Sequence, residues 1–112
     1  MNVSKFNEVI AAQIKLSTDV LCNKAKEYAD SEDRLHNFKV AAAVQGVTPI
    51  QALEGMMAKH TVSVYDMCGD SSKNFPIELW SEKITDHINY LLLLRALVEE
   101  DKERFIKENS DG

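Results

Sequence analysis

Leu79, Glu82, Asp86, Asn89 or Tyr90, Leu93 and Leu97 follow one another at spacings of three and four. Such spacings bring residues to one face of an α-helix. The stripe is apolar at both ends and acidic in the middle. A carboxylate resists burial without a partner, because taking the charge out of water is costly. The partner must be a Lys, an Arg, a His or a metal ion. Asp86 sits deeper in the stripe than Glu82 and is the stronger candidate ligand.

Two other segments repeat the pattern. Val9, Leu16 and Val20 are continued by Asn23 and Glu27, with Asp30 one turn beyond. Lys59, Ser63 and Asp66 share a face further along. In a bundle, polar groups on several helices meet at one level, which is how bundle metal sites are built. Carboxylates without Cys or His spacing suit a hard, oxygen-loving ion, Mg²⁺ first and Mn²⁺ second. Lys59 would then offer a point charge to a phosphate. The plainer alternative pairs each acid with a neighbouring base: Glu82 with Lys83, Asp86 with Lys59, Glu27 with Lys24.

These groups need long helices to hold them. The chain has 112 residues, 45% of them apolar, which suits one folded domain over residues 1–112. Gly and Pro number only four and two and stand where helices should stop. A first helix is expected from about Val3 to about Asp30. It has two apolar stripes, Phe6-Ile10-Ile14-Leu21-Ala25-Tyr28 and Val9-Ala12-Leu16-Val20. Two stripes call for burial on two sides or a contact between copies. A short second helix should run from Glu32 or Asp33 to Gln45, capped by Ser31 or Asp30 and ended by Gly46. The third has the clearest start: Thr48 at the N-cap, Pro49 first in the helix, and Gln51 completing a capping box. It should reach about Met67. The fourth is expected from about Ile77 to about Lys107, on a main stripe of Ile77, Trp80, Ile84, Ile88, Leu91 and Val98. A charged tail from about 108 should fray. The expected architecture is all-α, a compact bundle of about four helices, oligomeric.

Three segments carry a resemblance, in order along the chain. Lys24-x-x-Glu27-Tyr28-Ala29-Asp30 followed by Asn37-Phe38 is one. Gly46-Val47-Thr48-Pro49 followed by Met56-Met57-Ala58-Lys59 is the second. Glu82-x-x-x-Asp86-x-x-Asn89-Tyr90 is the third. Together they resemble the MazG-like all-α nucleoside triphosphate pyrophosphohydrolases, in particular small phage-type members. The resemblance implies a helical dimer or tetramer. It implies Mg²⁺-dependent cleavage of a nucleoside triphosphate, ordinary or modified, to monophosphate and pyrophosphate. Carried over, Glu27, Asp30, Glu82 and Asp86 match metal positions, with Glu27 and Asp86 central to catalysis. Lys59, Asn37, Asn89 and Tyr90 match positions near the substrate. The better-known pattern has two Glu-x-x-Glu pairs and then Glu-x-x-Asp; this chain has Glu27-x-x-Asp30 and a later pair spaced by four.

Other features bound the reading. Net charge is -5 and the basic residues are scattered, so no nucleic-acid polymer is an expected partner. The longest apolar run, Tyr90 to Leu94, is too short to span a bilayer, and no membrane is expected. Cys22 and Cys68 have no metal or redox spacing and read as small core residues in a reducing cytoplasm. His60 reads as partly buried and His87 as exposed. Asn37 and Phe38 can read a base by hydrogen bonding and stacking; otherwise they cap a helix, with Phe38 in the core. Trp80 is expected as an anchor in the core or between copies. Two further functions fit the same residues: a nucleotide-binding or sequestering protein without catalysis, and a structural or partner-binding helical oligomer.

Overall fold

A computed structural model describes the backbone of residues 1–27, 33–70 and 72–111, and the side chains of residues 1–23, 33–70 and 72–106. Within these, the chain forms five helices and no strand: α1 (Val3–Glu27), α2 (His36–Gln45), α3 (Pro49–Gly69), α4 (Ile77–Glu100) and α5 (Lys102–Asp111).

Local chemistry explains the boundaries. Thr48 Oγ1 accepts from the Gln51 amide at 3.1 Å, and Gln51 Oε1 accepts from the Thr48 amide at 3.0 Å. This is the expected capping box, and it satisfies two amide donors that the start of a helix leaves open. Gly46 ends α2 at φ 70°, a left-handed conformation that suits glycine, and its N–H reaches the Ala42 carbonyl. α2 starts later than expected. Asp33 Oδ1 accepts from the Leu35 amide at 2.9 Å, forming a turn before His36. The expected caps Ser31 and Asp30 lie outside the described residues.

The fourth helix also differs. A continuous helix to Lys107 is not formed: Asp101, at φ -105° and ψ 18°, separates α4 from α5. The tail expected to fray from about 108 lies in α5, whose backbone is helical to Asp111.

α3 is central. It packs against α2 on one side and α4 on the other, while α1 lies against α4. The core joins Leu35, Phe38, Leu53 and Leu97, surrounded by Ile50, Met56, Met57, Tyr90, Leu93 and Leu94. Thus the inward face of α4 is the stripe with the acids. The more continuous stripe looks outward: Ile77, Ile84 and Leu91 are exposed, and Ile88 and Val98 are only half-buried. Trp80 is half-buried, edge-on to Phe75 with ring centroids 6.1 Å apart.

α1 inverts the usual pattern. Phe6, Val9, Ile10, Ile14 and Leu16 are all exposed. Its contact with α4 is polar instead. Ser17 is 1% exposed, and Gln13 Nε2 donates to Ser17 Oγ at 3.0 Å and to Thr85 Oγ1 at 2.9 Å. These five residues therefore have no cover among the described residues, while Val20 and Leu21 of the same stripes are half-buried. The radius of gyration is 17.1 Å. A compact domain of this length would have about 13 Å, so the expectation of a compact bundle is corrected to an open one. Cys22 and Cys68 are free and exposed rather than in the core. Among the described residues no helix is long and apolar enough to cross a membrane.

Candidate functional site

A cavity of about 350 Å³ lies where α1, α2, α3 and α4 come together. Its size falls within the range of small-molecule sites, about 300–1,000 Å³. Leu21, Phe38, Met56 and Leu93 form apolar walls, and Arg34, Asn37, His60, Asp86, Asn89 and Tyr90 add polar groups. Helical periodicity delivers these residues: Met56 and His60 are one turn apart on α3, and Asp86, Asn89 or Tyr90, and Leu93 climb one face of α4. The segment before α2 supplies Arg34, whose Nη2 donates to the Leu21 carbonyl at 3.3 Å and ties that segment to α1.

The expected site residues divide clearly. Asn37, Asp86, Asn89 and Tyr90 line this cavity. Lys59 does not; it is exposed and lines an adjoining hollow with Gln45, Gly55, Met56 and Tyr90, so Met56 and Tyr90 separate the two. Glu82 is exposed one turn before Asp86 and lines neither. Glu27 ends α1, with its side chain outside the described residues, as is Asp30 altogether. Nor does α3 turn Lys59 and Asp66 inward: both are exposed, and only Ser63 is half-buried.

Among the described residues the expected pairs Glu82–Lys83 and Asp86–Lys59 are not formed, and the expected pair Glu27–Lys24 lies outside the described side chains. Neither Asp86 nor Glu82 makes a salt bridge with a described residue. Asp86 is half-buried, so its carboxylate enters the cavity without the Lys59 partner that a purely structural role would supply. Beside it, His60 stacks on Tyr90 with centroids 4.7 Å apart and planes tilted by 33°. His87 is half-buried rather than exposed, and its Nε2 lies 2.9 Å from Thr61 Oγ1. Asn89 is 7% exposed, and its Oδ1 is buried with no hydrogen-bond partner among the described residues.

The oxygen chemistry of Asp86 and Asn89 suits a hard cation such as Mg²⁺. The described residues do not complete such a site, since among them no three His, Cys, Asp or Glu side chains come together. The other acidic positions, the Glu27 side chain and Asp30, lie outside the described residues.

Arg34 and His60 were not singled out as site residues by the sequence. Arg34 stands three positions before Asn37, and His60 shares a helix face with Met56, so both were within reach of the same periodicity argument. A larger cavity of about 570 Å³ lies at the α4–α5 break. Its cations are already engaged: Lys39 Nζ is 2.6 Å from both Asp33 and Glu100, and Arg104 is 3.4 Å from Asp101. No protein-family model, curated protein or solved structure matches this chain.

Burial pushes the His60 imidazole below its ordinary value of 6.5; Asp86 opposes that shift, while Lys59, Lys83 and His87 add to it. The sign of the pH effect follows. The unfolded chain takes up a proton near the ordinary value, and the folded chain only at lower pH. His60 therefore contributes full stability above that value, and the contribution is lost as pH falls below it. Urea midpoints measured from about pH 7.5 to about 5.5 should fall more steeply for the native chain than for His60→Gln. Equal slopes would rule out His60 as the source.

Proposed function

We propose that this chain binds a nucleotide in the cavity between α1, α2, α3 and α4, and acts on it as a Mg²⁺-dependent pyrophosphohydrolase. The observation that carries this reading is convergence. Asn37, from one segment of the family-like pattern, and Asp86, Asn89 and Tyr90, from another, line the same cavity although they lie far apart in sequence.

Each wall has a role in this reading. Phe38, Met56 and Leu93 cover the apolar face of a base or sugar, and the His60–Tyr90 stack offers it an aromatic edge. Arg34, at the cavity, and Lys59, in the hollow beside it, bring positive charge to the phosphates. Asn37, exposed at α2, contacts the ligand at the mouth. Asp86, with Glu27 and Asp30 as the family resemblance implies, would hold Mg²⁺, which supplies charge neutralisation to the phosphates when bound. Glu82 belongs to this set only as an outer acid.

The exposed apolar faces of α1 support assembly as a homodimer or homotetramer, because a single chain leaves them in water. A second reading, binding without hydrolysis, is favoured by the incomplete acidic set: the chain has Glu27-x-x-Asp30 and a later pair spaced by four in place of the Glu-x-x-Glu pairs and Glu-x-x-Asp.

The test is a panel of nucleoside triphosphates with Mg²⁺, assayed for pyrophosphate. Release from at least one is expected. No release from any, by folded protein, would overturn the hydrolase reading. Thermal stabilisation by a nucleotide in EDTA without turnover would establish the second reading.

A further inference from the structure

The contact between α1 and α4 is polar only along one line. Around α1, Val9 and Leu16 lie to one side of Gln13, and Ile10 and Ile14 to the other; all four are exposed. On α4, Ile77, Ile84 and Leu91 lie beside Thr85, on the side away from the core, and are exposed too. The hydrogen-bonded seam is thus bordered by apolar surface on both helices. With Phe6, these residues leave roughly 800 Å² in water, beyond the roughly 300–600 Å² of the largest apolar patch on a typical monomer. Each partner in a standard stable interface buries about 800 Å².

Charge distinguishes what can cover this face. An amphipathic helix that lies on a membrane carries Lys and Arg along its polar side. Among the described residues of α1 the charges are balanced instead: Lys5 pairs with Glu8, and Lys15 with Asp19. The whole chain has a net charge of -5, so it has no pull toward an anionic surface. A contact across a two-fold axis needs only a patch that complements itself, and an uncharged apolar face does so.

We infer that the α1–α4 face binds the same face of a second copy, and that folding and assembly are linked through it. The described residues bury little on their own: Leu53 and Ser17 are the largest side chains fully withdrawn from water. A second apolar core forms between the copies, and the Gln13–Thr85 bond lies at its edge. This inference rests on the assembly proposed above, names the face that makes it, and does not depend on nucleotide binding.

The test follows the full chain by sedimentation and by urea denaturation over a roughly hundredfold range of protein concentration. A dimer or a multiple of one is expected, with a midpoint that rises by about half a molar per tenfold increase in protein. Ile14→Asp and Ile84→Asp should each raise the concentration for half-assembly by about 100-fold or more, because each buries an unpaired charge between copies. If either fails to fold, Ile14→Ala should fold and still need about tenfold more protein. Val44→Asp, at an exposed apolar residue of α2, should leave assembly unchanged. Assembly that withstands both α1 and α4 substitutions, or that is lost in Val44→Asp alone, would overturn this inference and leave assembly through another face. A folded monomer at every concentration would overturn both. A monomer that binds anionic vesicles would overturn both and give the face to lipid.

Discussion

Leu53→Ala should destabilise the protein by about 2–5 kcal/mol, read from urea denaturation midpoints. Leu53 is 0% exposed and belongs to the cluster with Leu35, Phe38 and Leu97. Truncation removes apolar contacts to three elements at once and leaves a cavity that rigid helices refill only partly. The loss is large against the roughly 5–15 kcal/mol that holds a typical domain together. It should weigh more here, since this open chain buries few other side chains completely. Val44→Ala is the control. Val44 is 81% exposed, and its truncation should change stability by less than about 0.5 kcal/mol. A comparable effect at both positions would contradict the placement of the core.

Asp86→Asn should lower pyrophosphate release by on the order of 100-fold or more, with little change in the urea midpoint. The substitution keeps the shape of the side chain and removes its charge. Asp86 lines the cavity and makes no salt bridge with a described residue, so losing the charge should not strand a partner. Glu82→Gln should have a much smaller effect, because Glu82 is exposed on the preceding turn. Unchanged turnover in Asp86→Asn, or equal losses in the two variants, would show that the carboxylate of Asp86 has no special role.

The contrast between these two acids shows how far sequence reasoning reaches. Ordering Asp86 above Glu82 needed only the stripe from Leu79 to Leu97. The start of α3 was equally legible, because a capping box is settled by residues three apart. Helix α4 was harder. Ile77, Ile84 and Leu91 form a more apolar stripe than the one that packs inward, yet they are exposed. Hydrophobicity says that a face prefers cover; it does not say which neighbour supplies it. On α1 the error ran the other way. Gln13 and Ser17 are polar, yet Ser17 is buried and Gln13 hydrogen-bonds both to it and across to Thr85 of α4. The break at Asp101 carries no Gly or Pro and had no local signal. In the cavity, Asn37, Asp86, Asn89 and Tyr90 were visible as motif positions. Arg34 and His60 lay within the same periodicity but outside those motifs, so only the fold singles them out.

The hydrogen-bonded seam between α1 and α4 has a consequence for how this protein can vary. The directional bond from Gln13 to Thr85, with Gln13 itself steadied by its bond to Ser17 on the same helix, fixes the register of the two helices more strictly than interchangeable apolar contacts would. A slip of one turn, about 5.4 Å, would take Gln13 away from the buried Thr85 hydroxyl. Ser17 stands one turn before Leu21, so the seam also sets where that residue meets the cavity. The outward residues Phe6, Ile10 and Ile14 take no part in the bonding. The two sides of α1 are therefore separable traits: substitutions on the outer side can retune what the helix adheres to while the wall it contributes to the cavity stays in place.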